Sequence, residues 1–329
     1  MRARAVLFKG VNAVALDGVE VPAPGPGEVL IDAEFTAVSP GTELRSLAGL
    51  QAGFDGWPFI PGYSLAGRVA ECGEGTTLRP GDRVVCSGTA RASVGRLWGG
   101  HVSRAVRAES AVHRVPPTVS LLEASLAPLA AIALRGVRLA NPRLGDSVAV
   151  LGLGMIGQFS ARLHAAAGAR VLGVDRVASR VDALRHASIA AALAEPTASG
   201  AVRHAFPEGA DLVVDCTGDP KAMGEAVAAA RDLPWEGAAR PPARVVVQGS
   251  YAGDFAVPYQ EAFQKELALL IPRARQPEDL DLVLSLLADG RLPVQGLAEV
   301  RDPAGATRAY ADLRSGVALG IVFHWRGNE

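Results

Sequence analysis

Cysteine is scarce in this chain. Cys72, Cys86 and Cys216 are the 3 among 329 residues, widely spaced and in no Cys-x-x-Cys arrangement, which excludes a disulfide framework and a zinc knuckle. Histidine adds His101, His113, His164, His186, His204 and His324, again without ligand-like pairing, so a metal-free chain is expected. Charge of either sign is missing as a surplus. The 33 Lys plus Arg stand against 34 Asp plus Glu, leaving no net field to draw in nucleic acid or an anionic membrane, and a small molecule is the expected partner. Long apolar runs are missing too. Although 49% of residues are hydrophobic, the longest clean stretch, Ala124 to Leu134, contains Pro128 and is too short to cross a bilayer. The first residues, Met-Arg-Ala-Arg-Ala-Val-Leu-Phe-Lys-Gly, show neither a long apolar run nor a small-residue cleavage site, so the expected location is the cytoplasm. Internal repeats and low-complexity tails are absent as well.

The most informative stretch runs from Ser147 to Asp175. Val148 to Leu151 has the length and apolar character of a buried strand, and Gly152, Gly154 and Gly157 follow it in G-x-G-x-x-G spacing. The first glycine permits a tight turn, the second lets a pyrophosphate approach the backbone, and the third lets the next helix pack close to the sheet. Met155 and Ile156 would then open a helix whose free amides face phosphates. That helix is expected to run to about Ala167 and stop at Gly168, and a strand from Arg170 to Val174 delivers Asp175 at ribose-binding distance, 23 residues after Gly152. Strand, triplet, helix, strand and carboxylate in that order predict a dinucleotide site; the plainer reading is a glycine-rich turn in another parallel sheet.

The first hundred residues read as short strands punctuated by Gly and Pro: Ala3 to Phe8, Val29 to Phe35, Leu65 to Glu71 and Arg83 to Cys86. They predict a small β-rich barrel. Ser39-Pro40-Gly41-Thr42-Glu43 leaves one of these strands and enters a helix. Ser120 and Glu123 are spaced as a capping box ahead of a helical run that marks the domain crossing. Strands and helices then alternate through Leu212 to Asp215 and Val245 to Val247, as a parallel doubly wound sheet requires. Asp232 to Ala243 reads as an exposed loop and Leu267 to Ile271 as one more buried strand. Pro277 opens a helix ending at Gly290, a further helix spans about Ala304 to Arg314, and a strand from Ala318 to Trp325 closes the chain.

Gly25-Pro26-Gly27-Glu28-Val29, Ile60-Pro61-Gly62-Tyr63, Pro80-Gly81-Asp82-Arg83-Val84, Gly152 to Gly157, Val213 to Gly218 and Gly320-Ile321-Val322 occur in an order and spacing that resembles the medium-chain dehydrogenase/reductase superfamily. The Ser-Pro-Gly-Thr-Glu and Pro-Gly-Tyr segments are similar in style to its bacteriochlorophyllide a dehydrogenase branch, whose members oxidise a secondary alcohol to a ketone. The resemblance implies an α/β chain with a GroES-like β-barrel catalytic domain, residues 1–125 completed by 273–329, and a Rossmann domain with a doubly wound parallel sheet, residues 126–272. It also implies an interdomain cleft for nicotinamide and substrate, and a homodimer joined along edge strands of the nucleotide domain.

Zinc-dependent members place a cysteine, a His-Glu pair and a second cysteine around a catalytic zinc. The matching places here hold Ser39, Tyr63-Ser64 and Ala130 or Ala131, and the four-cysteine structural lobe is replaced by Ser87 to Gly99 without cysteine. No zinc is expected. Hydride transfer then needs another group to meet the substrate oxygen. Tyr63 is the first candidate proton donor, with packing in the cleft wall as the alternative. Ser39 and Thr42 follow, weighed against helix capping, and Glu43 could orient one of them. His101 reads as structural, and Trp57 and Trp98 as pocket wall or packing. Asp175 favours NAD, while Arg176 and Arg180 keep NADP open. Cys216, Thr217, Gly218, Gln248, Gly249 and Ser250 match the family's loops beside the nicotinamide ribose. Competing readings are an NADPH-dependent enoyl or quinone reductase and a nonenzymatic dinucleotide-binding protein.

Overall fold

A computed structural model describes residues 1–51, 56–236 and 240–326. The chain divides into two compact units. The first comprises Met1–Leu129, Leu280–Gly290 and Val294–Glu329. Its centre is the Glu28–Ala37 strand, which pairs antiparallel with Leu65–Cys72, Arg104–Ala108 and Ile321–His324. Val29, Leu30, Ile31 and Ala33 of this strand are buried in a core where Phe8 meets Tyr310 edge-on at 5.0 Å and Phe59 at 5.5 Å. Each such ring, fully buried, contributes roughly 1.5–3 kcal/mol. The Arg2–Gly10 strand forms a hairpin with Ala13–Glu20. That second strand has no counterpart among the expected ones, because Asp17 and Gly18 within it read as turn residues.

The central strand delivers the Pro40–Leu47 helix. Pro40 suits its first turn, where a missing N–H costs nothing, and Gly49, at φ +74°, lets the chain turn away after it. The Ser120–Glu123 capping box forms as spaced: the Ser120 N–H reaches the Glu123 carboxylate at 2.9 Å, and the Glu123 N–H reaches Ser120 Oγ at 3.1 Å. It opens the Leu121–Ala140 helix.

The second unit comprises Ala130–Asp279 and Arg291–Pro293. Its six parallel strands lie in the order Ala190–Leu193, Arg170–Asp175, Ser147–Leu151, Leu212–Asp215, Arg244–Val247, Ala268–Leu270. Strand order reverses between Ser147–Leu151 and Leu212–Asp215, both buried at every position. In open sheets of this kind ligands bind where the carboxyl ends of the strands part. The glycine motif sits there.

One expected strand needs correction. Leu267 to Ile271 is not a buried strand: only Ala268–Leu270 is extended, at the edge of the sheet, with Leu269 37% and Ile271 62% exposed. An edge strand has one neighbour and one open side, so apolar character alone does not bury it. In the expected Asp232 to Ala243 loop, Trp235 is exposed; residues 237–239 lie outside the described residues. The helix expected from Ala304 begins instead with a 3-10 turn, Pro303–Gly305, capped by Asp302, and becomes α-helical at Ala306–Ser315.

Candidate active site

In the second unit the three motif glycines play separable parts. Gly152 turns the chain at φ +84°, with the Thr217 backbone so close that a Cβ there would meet it at 3.1 Å. A Cβ on Gly157 would lie 1.8 Å from the Gly152 carbonyl oxygen, so only glycine lets the Met155–Ala166 helix approach the strand this closely. Gly154 has nothing within 4 Å of where its Cβ would stand. No packing inside the chain demands a glycine there, and open space over the backbone suits an approaching phosphate. The helix that follows has no side-chain cap at Gly154, which leaves the amides of Met155, Ile156 and Gly157 for an anion.

Asp175 ends the second strand as a buried carboxylate. One oxygen accepts the Leu153 N–H at 2.6 Å and the other the Val177 N–H at 2.8 Å. Two backbone donors fix its orientation and leave a lone pair on each oxygen for ribose hydroxyls. Arg180 stands 3.7 Å away, half-buried, whereas Arg176 beside it is exposed. The Cys216–Gly218 loop packs backbone to backbone on Gln248–Ser250: a Cβ on Gly249 would meet the Gly218 amide at 2.5 Å. Asp215 at the strand end gathers the Thr217 N–H and hydroxyl, at 2.8 and 2.7 Å, and the Tyr251 hydroxyl. Burial, reinforced by the Asp215 charge, pushes the Cys216 thiol well above its usual range, so its thiolate is not available as a nucleophile.

The first unit holds a hydroxyl pair. Ser39 Oγ and Tyr63 Oη are 2.6 Å apart. Ser39 occupies the N-cap of the Pro40–Leu47 helix without making a side-chain cap. Its hydroxyl is turned to Tyr63 instead. Thr42 is half-buried on the first turn. Burial pushes the Tyr63 phenol up to about 12; hydrogen bonds from Ser39 and Thr42 oppose that, and the nearby Glu43 charge adds to it. The phenol therefore keeps its proton through the neutral range. Trp98, 37% exposed, meets the Tyr63 ring edge-on at 5.4 Å. Trp57 stacks on Phe59 at 5.0 Å.

Glu43 is wholly buried. One oxygen accepts the Ser39 N–H at 2.7 Å, and the other accepts His101 Nε2 at 2.9 Å and the Tyr310 hydroxyl at 2.5 Å. Its carboxylate is spent on the protein interior, so Glu43 positions and does not touch substrate. Gly62 belongs to the same packing: at φ +84°, a Cβ on it would fall 2.6 Å from His101 Nε2.

Residues 25–117 match the alcohol dehydrogenase GroES-like domain and residues 148–244 the TrkA-N domain. The chain is 30% identical over 336 aligned positions to the 2-desacetyl-2-hydroxyethyl bacteriochlorophyllide A dehydrogenase of Cereibacter sphaeroides, covering 99% of both. It belongs to the medium-chain dehydrogenase/reductase superfamily. Within that superfamily it falls in the bacteriochlorophyllide dehydrogenase branch, and it is an oxidoreductase. Two solved structures share its fold over nearly their whole length. A protein named as a short chain alcohol dehydrogenase, from Escherichia coli CFT073 and in complex with NADH, aligns at TM-score 0.84 and 20% identity, covering 98% of this chain and 99% of that one. A Sinorhizobium meliloti dehydrogenase bound to NADP aligns at 0.85 and 20%, covering 99% and 100%.

Among the described residues no group of three His, Cys, Asp or Glu side chains is placed to hold a metal ion. Tyr310 and Trp325, which reach Glu43 and Thr36, were missed by sequence reasoning. They lie far along the chain, and only a pairing of the Ile321–His324 strand with the Glu28–Ala37 strand could have pointed to them.

Proposed function

We propose that this oxidoreductase transfers hydride between a nicotinamide cofactor and a secondary alcohol or ketone without a catalytic zinc, on a cyclic or polyhydroxylated metabolite, in the cytoplasm and as a homodimer. The observation that carries the reading is the Ser39–Tyr63 pair, a protonated phenol held 2.6 Å from a second hydroxyl. It stands at the places that zinc-dependent relatives give to metal ligands. Hydroxyl oxygens there do not fit a zinc that takes thiolate and imidazole. The bound cofactor supplies the hydride. Tyr63 donates a hydrogen bond to the substrate oxygen and stabilises the charge that develops on it; in the reducing direction it gives up its proton, and the Ser39 hydroxyl passes a proton on to it from solvent. Gly152, Gly154, Met155, Ile156 and Gly157 hold the pyrophosphate; Asp175 holds the adenine ribose, with Arg180 at its side. Cys216, Thr217, Gly218, Gln248, Gly249 and Ser250 form the loops beside the nicotinamide ribose.

Both cofactors occur among structural neighbours, NADH in one and NADP in another. Asp175 favours NAD, since its carboxylate opposes a 2′-phosphate. Arg180, 3.7 Å from that carboxylate, is the feature that favours the second reading, an NADPH-dependent enoyl or quinone reductase. The Ala268–Leu270 edge strand, with Leu269 and Ile271 exposed, supports the dimer. The test is a panel of secondary alcohols, ketones, enones and quinones with NADH and NADPH, on protein assayed for zinc. Turnover of a ketone with NADH and no stoichiometric zinc is expected. Stoichiometric zinc, or reduction confined to activated C=C bonds with NADPH, defeats the reading.

A further inference from the structure

Five buried side chains from five separate segments of the first unit join in one line behind the Ser39–Tyr63 pair. Trp325 Nε1 lies 3.0 Å from Thr36 Oγ1, Thr36 Oγ1 lies 2.8 Å from His101 Nδ1, and His101 Nε2 lies 2.9 Å from Glu43 Oε2. Tyr310 joins at the same carboxylate oxygen, and the other oxygen takes the Ser39 backbone N–H. Thr36, Glu43 and His101 are each 0% exposed, Tyr310 2% and Trp325 4%.

The ends of this line set its direction. The Glu43 carboxylate only accepts, so His101 Nε2 carries a proton aimed at it, and an indole N–H can only donate, so Thr36 Oγ1 accepts from Trp325. Around a neutral imidazole Nδ1 is the acceptor and Thr36 donates to it; around a charged one Thr36 Oγ1 accepts on its second lone pair. The carboxylate at the far end accepts from His101, Tyr310 and Ser39 and has nothing to donate. In either state His101 Nε2 donates to Glu43 and every side chain of the line keeps its partner. Such a fully satisfied buried network holds its members in one geometry.

We propose that Thr36, His101, Tyr310 and Trp325 are positioning residues for the hydride-transfer reaction: through Glu43 they clamp the backbone of Ser39, and so hold the Ser39–Tyr63 pair in place for the substrate oxygen. The proposal rests on the reading of that pair as the oxygen-binding site. It makes the closing strand of the chain part of the catalytic apparatus, since Trp325, just after it, is anchored by its backbone N–H to the Glu34 carbonyl at 2.9 Å. Gly62 completes the clamp, because the imidazole fills the space its side chain would need.

Two measurements test it. Nitrogen-15 NMR of the histidine rings in the whole wild-type chain at neutral pH reads the tautomer directly. His101 is expected with a proton on Nε2. His164 provides an internal contrast, because its Nδ1 lies 2.8 Å from the Ser160 carbonyl oxygen and must carry the proton. A His101 ring protonated on Nδ1 alone has no bond to give the Glu43 carboxylate and overturns the proposal. The second measurement compares Thr36→Val, which keeps the shape and loses the hydroxyl, with Thr36→Ser, which keeps it. Thr36→Val is expected to lower kcat about tenfold, as displacement of a positioned reacting group does. Thr36→Ser is expected to restore it, with cofactor Kd the same in all three proteins. A Thr36→Val protein that loses thermal stability yet keeps kcat shows a purely structural network and overturns the proposal. The spectrum decides the wiring whatever the turnover; if hydride transfer itself is the mistaken reading, turnover is missing while the Nε2 proton is in place.

Discussion

The two units build their functional sites in opposite ways. In the second, Gly152, Gly154, Gly157 and Asp175 lie within one strand-helix-strand segment, and each residue's part can be read from its immediate neighbours. In the first, the hydroxyl pair and its supports are drawn from Thr36, Ser39, Glu43, Tyr63, His101, Tyr310 and Trp325, brought together by the pairing of strands far apart in the chain. A site that binds a common cofactor can be a portable local device. The hydroxyl pair proposed to meet the substrate is a product of the whole barrel.

The largest break in that comparison is expected at Tyr63. Tyr63→Phe removes only the phenolic hydroxyl, and kcat should fall by about 10²–10⁴, the worth of a positioned general acid, with cofactor Kd unchanged in a fluorescence titration. An unchanged kcat would return Tyr63 to the wall of the pocket.

The next concerns the two buried histidines. His101 has partners on both nitrogens, whereas His164 Nε2 is buried without one. Burial lowers the His164 pKa to about 4, with the Ser160 carbonyl opposing and Arg244 adding to the effect. The unfolded chain takes up this proton near pH 6.5 and the folded chain only near 4, so its effect on stability is nil above 6.5 and destabilising as pH falls between those values. The accumulated loss is about 3 kcal/mol. Urea unfolding from pH 7 to pH 4 should show this slope in the wild type and a shallower one in His164→Gln; equal slopes would sink the assignment.

A third test stays within the glycine motif. Gly157→Ala forces a Cβ to within 1.8 Å of a backbone oxygen and should cost about 1–3 kcal/mol of stability. Gly154→Ala meets open space, so thermal unfolding should be nearly unchanged while the dinucleotide Kd rises. If both variants behave alike, the two glycines are not doing separate jobs. The smallest effect is expected from Arg176→Ala: this side chain is exposed, and the NADH Kd should stay within about twofold, as for surface positions generally.

The legibility of the chain follows the same division. The alternation of Ser147–Leu151, glycine turn, Met155–Ala166 and Arg170–Asp175 was readable because every cue is local: an apolar run, a fixed glycine spacing, a carboxylate at a strand end. The Ser120–Glu123 cap was readable for the same reason. The places of Ser39, Thr42, Glu43 and Tyr63 could be marked by resemblance, but not their mutual bonding, since the 2.6 Å hydroxyl contact depends on how two loops of a barrel close. Tyr310 and Trp325 carry no cue at all in their own segments, where each is one more large apolar ring. The edge position of Ala268–Leu270 was hidden because a strand's neighbours are decided by topology, not by its composition.

Gly62 has a bearing on how this enzyme could acquire new substrates. Tyr63, the side chain proposed to meet the substrate oxygen, follows a residue that cannot grow without displacing His101. A directed-evolution library spread across this loop would therefore waste most of its members at one position, and variation at Tyr63 should be sampled with Gly62 held constant.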